Sequence, residues 1–423
     1  MTEASLFEIL SEVWALRAIV ASSMVGLMCG VLGCFIVLRN MSLVGDALAH
    51  AILPGVVVAY MLVGYSTLAF FSGAVVAGLV TAFGITWIQQ RVRTKNDAAV
   101  GIVFTSMFSL GVILISRISR QDGVHLDLKD FLFGYALGVS DTDLLLTGLV
   151  MAYVLISVAV FYRYLFSSTF QSVVAQTMGI PVKLLHYFLM LLLSFAVVAS
   201  LQTVGVILVV AMLITPAATA LLLSQRLQRV LFIAGGIGML SAIIGMMVSV
   251  WLNTPPGPAM ALVATLIYGL TVVFAPKRGL VAKAYYRYQR QQLTLREDII
   301  KRVFRQNERP GGADAAAIRQ ELDLSERAWQ RQLATLRTKG LADKDALRLT
   351  DAGKLLALRL VRAHRLWETY LNQEMGLTPD QIHEEAERLE HLLTPELVDR
   401  VDAELGFPET DPHGSVIPGK EKT

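Results

Sequence analysis

The sequence predicts an all-α polytopic membrane helical bundle of about nine spans, followed by a smaller α+β winged-helix domain. Three observations lead there. Of 423 residues, 54% are hydrophobic and 17% charged, a balance foreign to ordinary soluble domains and usual for polytopic membrane proteins. Charge is segregated: residues 1–275 hold 12 Lys/Arg and 10 Asp/Glu, whereas residues 276–423 hold 25 and 24. Within the apolar part, the stretch "GDALAHAILPG" (Gly45 to Gly55) sets Asp46 and His50 four residues apart among Ala, Leu, Ile and Val.

Because a bilayer core takes roughly 20 apolar residues per helix, the candidate spans fall at 14–38, 42–63, 66–89, 98–116, 143–162, 184–202, 204–223, 230–252 and 257–275. The stretch 184–223 is continuously apolar, so eight or ten spans also fit. The N-terminus "MTEASLFEILSE" is acidic and lacks the basic region of a cleaved signal peptide, so the first span is expected to stay. Lys and Arg gather in "QQRVRTK" (89–95), around 162–183, in "SQRLQR" (224–229) and in "PKRGL" (276–280), which places those loops and the C-terminal domain in the cytoplasm. The loops at 64–66, 120–142 and 253–258 then face out. Gly26 and Gly30 in "GLMCG" have a spacing that allows close helix approach, read as ordinary packing. Cys29 and Cys34 read as small buried thiols with no disulfide framework.

After residue 275 the texture becomes polar. "KAYYRYQRQQ" (283–292) is a connector helix, and "LREDIIKRVFRQ" and "ADAAAIRQEL" are two further helices. Ser325 caps "ERAWQRQLATLRTKG", which stops at Gly340. "LADKDALRLT" then reads as a two-stranded wing and "DAGKLLALRLVRAHRLWETYL" as a long helix, the order of a winged helix-turn-helix. The expected boundaries are 1–278 for the membrane domain, 279–293 for the connector, 294–350 for the winged helix and 351–423 for the final region.

An ionisable group inside a span carries an insertion penalty of about 2.5–3.5 kcal/mol and marks function by default. Asp46 and His50 share one helix face, and a carboxylate with an imidazole makes half of a site for a divalent transition metal. A bland alternative is that they bond each other or meet water near the cytoplasmic end. Gln202 and Thr203 are weaker pathway candidates.

"LRNMSLVGDALAHAILPGVVVAY" (38–60), "VGIVFTSMFSLGVILIS" (100–116), "AQTMGIPVKLLHY" (175–187) and "LQTVGVILVVAMLITPAATALLL" (201–223) together resemble the permease family of metal-ion ABC importers, which move Mn²⁺, Zn²⁺ or Fe²⁺. The resemblance implies that Asp46 and His50 contact the metal in the pathway. It also implies that 168–181, with Gln171, Ala175, Gly179 and Ile180, is the loop that docks on the ATPase. No GxxxxGK[ST] occurs in the chain, so ATP hydrolysis is assigned to a separate subunit. A second permease subunit (copy or paralogue) and an extracytoplasmic metal-binding protein complete the implied system, in the plasma (inner) membrane.

The tail is similar to metal-dependent repressors of the diphtheria-toxin-repressor and manganese-repressor type, through "GLADKDALRLTDAGKLLALRLVRAHRLWETYL", "HEEAERLEH" and "DPHGSVIPG". Here the resemblance implies metal ligation by Asp298, His364, Glu387, Glu390 and His391, with Glu368 and His383 at an ancillary site. Lys301 stands where the manganese branch has Glu, and such a cation would repel a second metal ion. Glu387 stands where the iron branch has Cys, which favours manganese. In the candidate recognition helix, Arg327, Gln330 and Arg331 are able to read base edges, but Glu326 and the near-neutral tail weigh against DNA. The reading is a metal-importer permease, manganese favoured, with a metal-sensing regulatory tail. The alternative is a membrane-anchored, metal-responsive DNA-binding regulator.

Overall fold

The computed structural model describes residues 12–64, 66–92, 95–118, 138–307, 313–343, 347–375, 377, 382 and 394–419. It divides into two compact units, 1–283 and 284–423, and is nearly all helical.

The first unit contains α1 (Val13–Leu38), α2 (Ser42–Ala51), α3 (Leu53–Val63), α4 (Thr67–Arg91), α5 (Asn96–Ile118), α6 (Asp141–Val160), α7 (Tyr162–Phe170), α8 (Ser172–Thr177), α9 (Val182–Leu223), α10 (Leu227–Leu252) and α11 (Pro256–Phe274). α1 is the central helix, packed against α9 and α10. Eight stretches are long and apolar enough to cross a membrane among the described residues.

Two breaks refine the expected spans. The 184–223 stretch is drawn as one helix, α9, but Gly205 interrupts it at φ 80°, ψ 169°, a backbone region open to glycine and strained for other residues. Beyond the kink, Leu208–Leu223 is a shorter apolar helix, so the seventh expected span falls below the length of the others. The 42–63 stretch is two helices that meet at Ile52. Pro54 is the cause: it has no N–H to give to the carbonyl of His50, as an unbroken helix requires.

Glycines set the closeness of α1 to its neighbours. A Cβ on Gly26 would stand 2.4 Å from the Gly238 carbonyl oxygen, and one on Gly30 2.6 Å from that of Ala234. The "GLMCG" spacing is thus a backbone-to-backbone seam, the packing role read for it. At Gly33 the added carbon would lie 1.8 Å from the Leu213 carbonyl oxygen. Gly33→Val should therefore push α1 off α9 and lower stability by about 1–3 kcal/mol or more. Gly236→Ala, where nothing lies within 4 Å, should not. Thermal unfolding of the two variants in detergent checks the pair. Cys29 and Cys34 are free and buried.

Connector and first tail helix are continuous as α12 (Leu280–Asn307), most of which belongs to the second unit. Then come α13 (Ala315–Glu321), α14 (Glu326–Thr338), α15 (Asp351–Met375) and α16 (Pro395–Glu404). Asp314 and Ser325 cap α13 and α14 through their side chains. Ile299, Ile300, Val303, Ile318, Trp329 and Leu333 share one core, the centre of the helix-turn-helix. Where the two-stranded wing is expected, the described residues show one antiparallel bridge, Ala342 with Leu349, flanked by backbone bonds from the Asp343 N–H to Arg348 and from the Thr350 N–H to Leu341. A separate small core joins Leu366, Val401 and Ile417. There Arg362 pairs with Asp402 and lies 3.8 Å from Asp399, while Arg365 reaches Asp411 at 3.6 Å. Asp411 in turn accepts from the backbone N–H of His413 and Ser415, closing the "DPHGS" turn.

Candidate functional site

Asp46 and His50 lie on α2, about 6 and 12 Å along its axis from Ser42 at roughly 1.5 Å per residue. Val44, Ala47, Leu48 and Ala51 of the same helix are buried, and Gly45 faces Leu213 of α9 so closely that a Cβ there would come within 2.7 Å of its Cδ1. The inner face is therefore committed to packing, and the ionisable pair occupies the outer one. The Asp46 side chain is 48% exposed and that of His50 22%.

His50 Nε2 stands 3.6 Å from Asp46 Oδ1. That is too long for a hydrogen bond. It is near the roughly 3.0–3.4 Å that separates neighbouring ligand atoms when each sits about 2.1 Å from one ion. The imidazole is held from the side by α5: Phe108 meets it edge-on at 5.7 Å and 80°, and Phe104 lies at 5.9 Å. The two phenyl rings stack on each other at 5.9 Å. Sequence reasoning missed this pair; their i, i+4 spacing in "FTSMF" was the available signal. No group of three or more His, Cys, Asp or Glu able to hold a metal occurs among the described residues. Asp46 and His50 thus present one carboxylate and one imidazole nitrogen on the same helix face. The side chains of Gln202 and Thr203 lie outside the described residues.

The 168–181 segment covers the end of α7, Gln171, α8 and the turn into α9. The Gly179 N–H donates to the Gln176 carbonyl and the Ile180 N–H to that of Ala175, both at 3.0 Å. With Gly179 at φ 80° this is a Schellman closure, and it buries Ala175 while leaving Gln171 exposed. Phe170, Val173, Val174 and Met178 are exposed around it, an apolar patch on a short helix.

In the tail, His364 and Glu368 are both buried on α15, with Nε2 and Oε1 3.0 Å apart. Asp298 is half-buried on α12, and Lys301, one turn on, is fully buried. His383, Glu387, Glu390 and His391 lie outside the described residues. On α14, Arg327, Gln330 and Arg331 are exposed opposite the buried Trp329 and Leu333. The Gln330 amide donates to Glu326. That bond, and then one from Arg319, holds the Glu326 carboxyl below the usual carboxylate range.

Residues 12–275 match the family model "ABC 3 transport family", and residues 350–419 match "Iron dependent repressor, metal binding and dimerisation domain". The fold and these matches define a membrane permease of the ABC-transporter class that carries a repressor-like domain. The chain belongs to the ABC 3 transport family. It is an integral membrane protein and not an enzyme; in such systems a separate subunit hydrolyses ATP. The manganese transport system membrane protein MntC of Halalkalibacterium halodurans is 48% identical over 283 residues, 67% of this chain and 94% of that protein. The protein of the same name from Bacillus subtilis is 36% identical over 376 residues, 86% of each chain, so that likeness continues into the tail. Among solved structures, PsaBC from Streptococcus pneumoniae in complex with Fab is similar, with 38% identity and a TM-score of 0.58, over 64% of this chain and 96% of that one.

Proposed function

We propose that this chain is the permease of a manganese importer in the plasma membrane and that Asp46 and His50 ligate the ion as it crosses. The observation that supports this most directly is the placement of the pair. A carboxylate and an imidazole face outward from a candidate span at a separation near that of two ligands of one ion, and an ionisable group there carries an insertion penalty that function has to offset. A second permease subunit, a copy or a paralogue, covers this face and supplies further ligands. Manganese is favoured by the names of the relatives and by the hard oxygen and borderline nitrogen donors, with no thiolate at the site.

The exposed apolar patch around Gln171, Ala175, Gly179 and Ile180 docks on the ATPase subunit, and an extracytoplasmic metal-binding protein delivers the ion. The tail, cytoplasmic in this orientation, binds the same metal through Asp298, His364, Glu387, Glu390 and His391, with Glu368 and His383 beside them, and restrains transport when the ion is plentiful. The finer divisions, 279–293 as connector, 294–350 as winged helix and 351–423 as metal-binding region, belong to this reading. Arg327, Gln330 and Arg331 are displayed on α14, but Glu326 shares their face and engages Gln330, which supports regulation over DNA recognition. Metal content of the purified permease–ATPase complex, measured by elemental mass spectrometry under equal competing Mn²⁺, Zn²⁺ and Fe²⁺, tests the assignment. Manganese should be retained in excess of the other two; retention of zinc or iron alone would overturn it.

A further inference from the structure

We infer that Arg39 is the positioning residue that ties the metal-ligating helix to the ATPase-docking segment. This inference rests on the functional reading above.

Arg39 closes the C-terminus of α1, three residues before α2 begins. The turn between them is tight. The Met41 N–H donates to the Ile36 carbonyl at 3.0 Å and the Val44 N–H to that of Met41 at 3.0 Å, while Asn40 sits at φ 55° and Met41 is buried. A displacement of Arg39 is thereby transmitted to the base of α2, one to two turns below Asp46 and His50. At its other end the guanidinium reaches α7. Nη2 donates to Ser168 Oγ at 2.7 Å and Nε to Thr169 Oγ1 at 3.1 Å. Both hydroxyls spend their own protons on the Leu165 carbonyl, at 3.1 and 2.7 Å, so their lone pairs are left to face the cation. α7 ends one residue after Thr169, and the docking segment continues directly through Gln171 into α8.

The chemistry of the contact suits a moving joint. Arg39 is part-buried and bonds two neutral hydroxyls, with no carboxylate partner among the described residues. Such bonds are stronger than neutral ones because one partner is charged, yet they can be remade within one ATP cycle. A buried ion pair would resist breaking more strongly.

The test uses the full permease reconstituted with its ATPase subunit in liposomes, with ⁵⁴Mn²⁺ uptake and ATP hydrolysis measured together. For Arg39→Gln, basal ATP hydrolysis should be retained while Mn²⁺ moved per ATP falls about tenfold, the order of magnitude of typical coupling between two sites. Arg39→Lys, which keeps the charge but cannot bridge two hydroxyls in a fork, should recover only part of the ratio. Should Arg39→Gln fail to assemble, Arg39→Lys carries the test by itself, because it keeps the charge, loses the fork and should still lower the ratio. An unchanged ratio in the variants that assemble overturns the inference. His50→Ala is run alongside: uptake at the normal level there refutes the metal-ligand reading, whatever Arg39 does.

Discussion

Replacing Asp46 or His50 by Ala should abolish metal uptake while leaving the permease in the membrane. Removing groups that merely orient a metal ligand reduces affinity by about 10–100-fold, so deleting a ligand should reduce it by about 100-fold or more. Uptake of ⁵⁴Mn²⁺ by cells expressing each variant, normalised to permease abundance by immunoblot, provides the measurement. The two substitutions should differ in their side effects. Asp46 is half exposed, and Asp46→Asn keeps its shape while removing the charge that attracts a dication. His50 packs edge-on against Phe108 and beside Phe104, so His50→Ala also removes a ring from an aromatic cluster and should modestly lower stability. Uptake at the unmodified level in Asp46→Asn would remove the pair from the pathway, because no loss of packing could mask the outcome.

Ending the chain after Lys283, at the division between the two compact units, should release transport from restraint by cytoplasmic metal. A tail that binds metal better in one state than another can bias the permease by the difference in affinity between those states. Couplings of that kind typically change binding affinity by about 5–150-fold. The shortened chain keeps the whole core of the first unit, and the Halalkalibacterium relative is matched over 94% of its own length within 283 residues of this chain. The permease half is thus expected to fold and transport alone. Manganese preloading should depress uptake by the full chain and leave the shortened chain unaffected. His364→Ala in the full chain should reproduce the release, because it opens the buried pair with Glu368. Equal restraint in full and shortened chains would leave the tail without a regulatory role.

Much of this molecule is legible from local pattern. Apolar runs of about 20 residues are their own signal, and the charge step near 275 separates the two units because each half answers to its own solvent. Asp46 and His50 are conspicuous since ionisable groups are rare among such neighbours. Capping at Ser325 comes from one side chain and the N–H groups beside it, and Asp314 caps α13 by the same local means without having been singled out in the sequence. The breaks were less readable, although their causes are local. Pro54 stands in plain view four residues after His50, but an apolar run on both sides hides the end of a helix. Gly205 is one glycine among many, and only its left-handed backbone distinguishes it. Alternation in "LADKDALRLT" suits two strands, and the described residues there pair through the Ala342–Leu349 bridge and the backbone bonds on either side of it.

The sequence by itself determined that the chain begins with a bundle of long apolar helices, where the polar domain starts, and that a carboxylate and an imidazole share one helical face. Those properties depend on composition and on spacings of a few residues. Only the tertiary structure decided that this face points away from α9, that Phe104 and Phe108 flank the imidazole, and that Arg39 meets Ser168 and Thr169 some 130 residues further on. Such contacts arise when helices choose which side to bury. That choice is made by shape, here by glycines that admit a neighbouring backbone at α1, and it is a property of pairs of surfaces that no single stretch of chain contains.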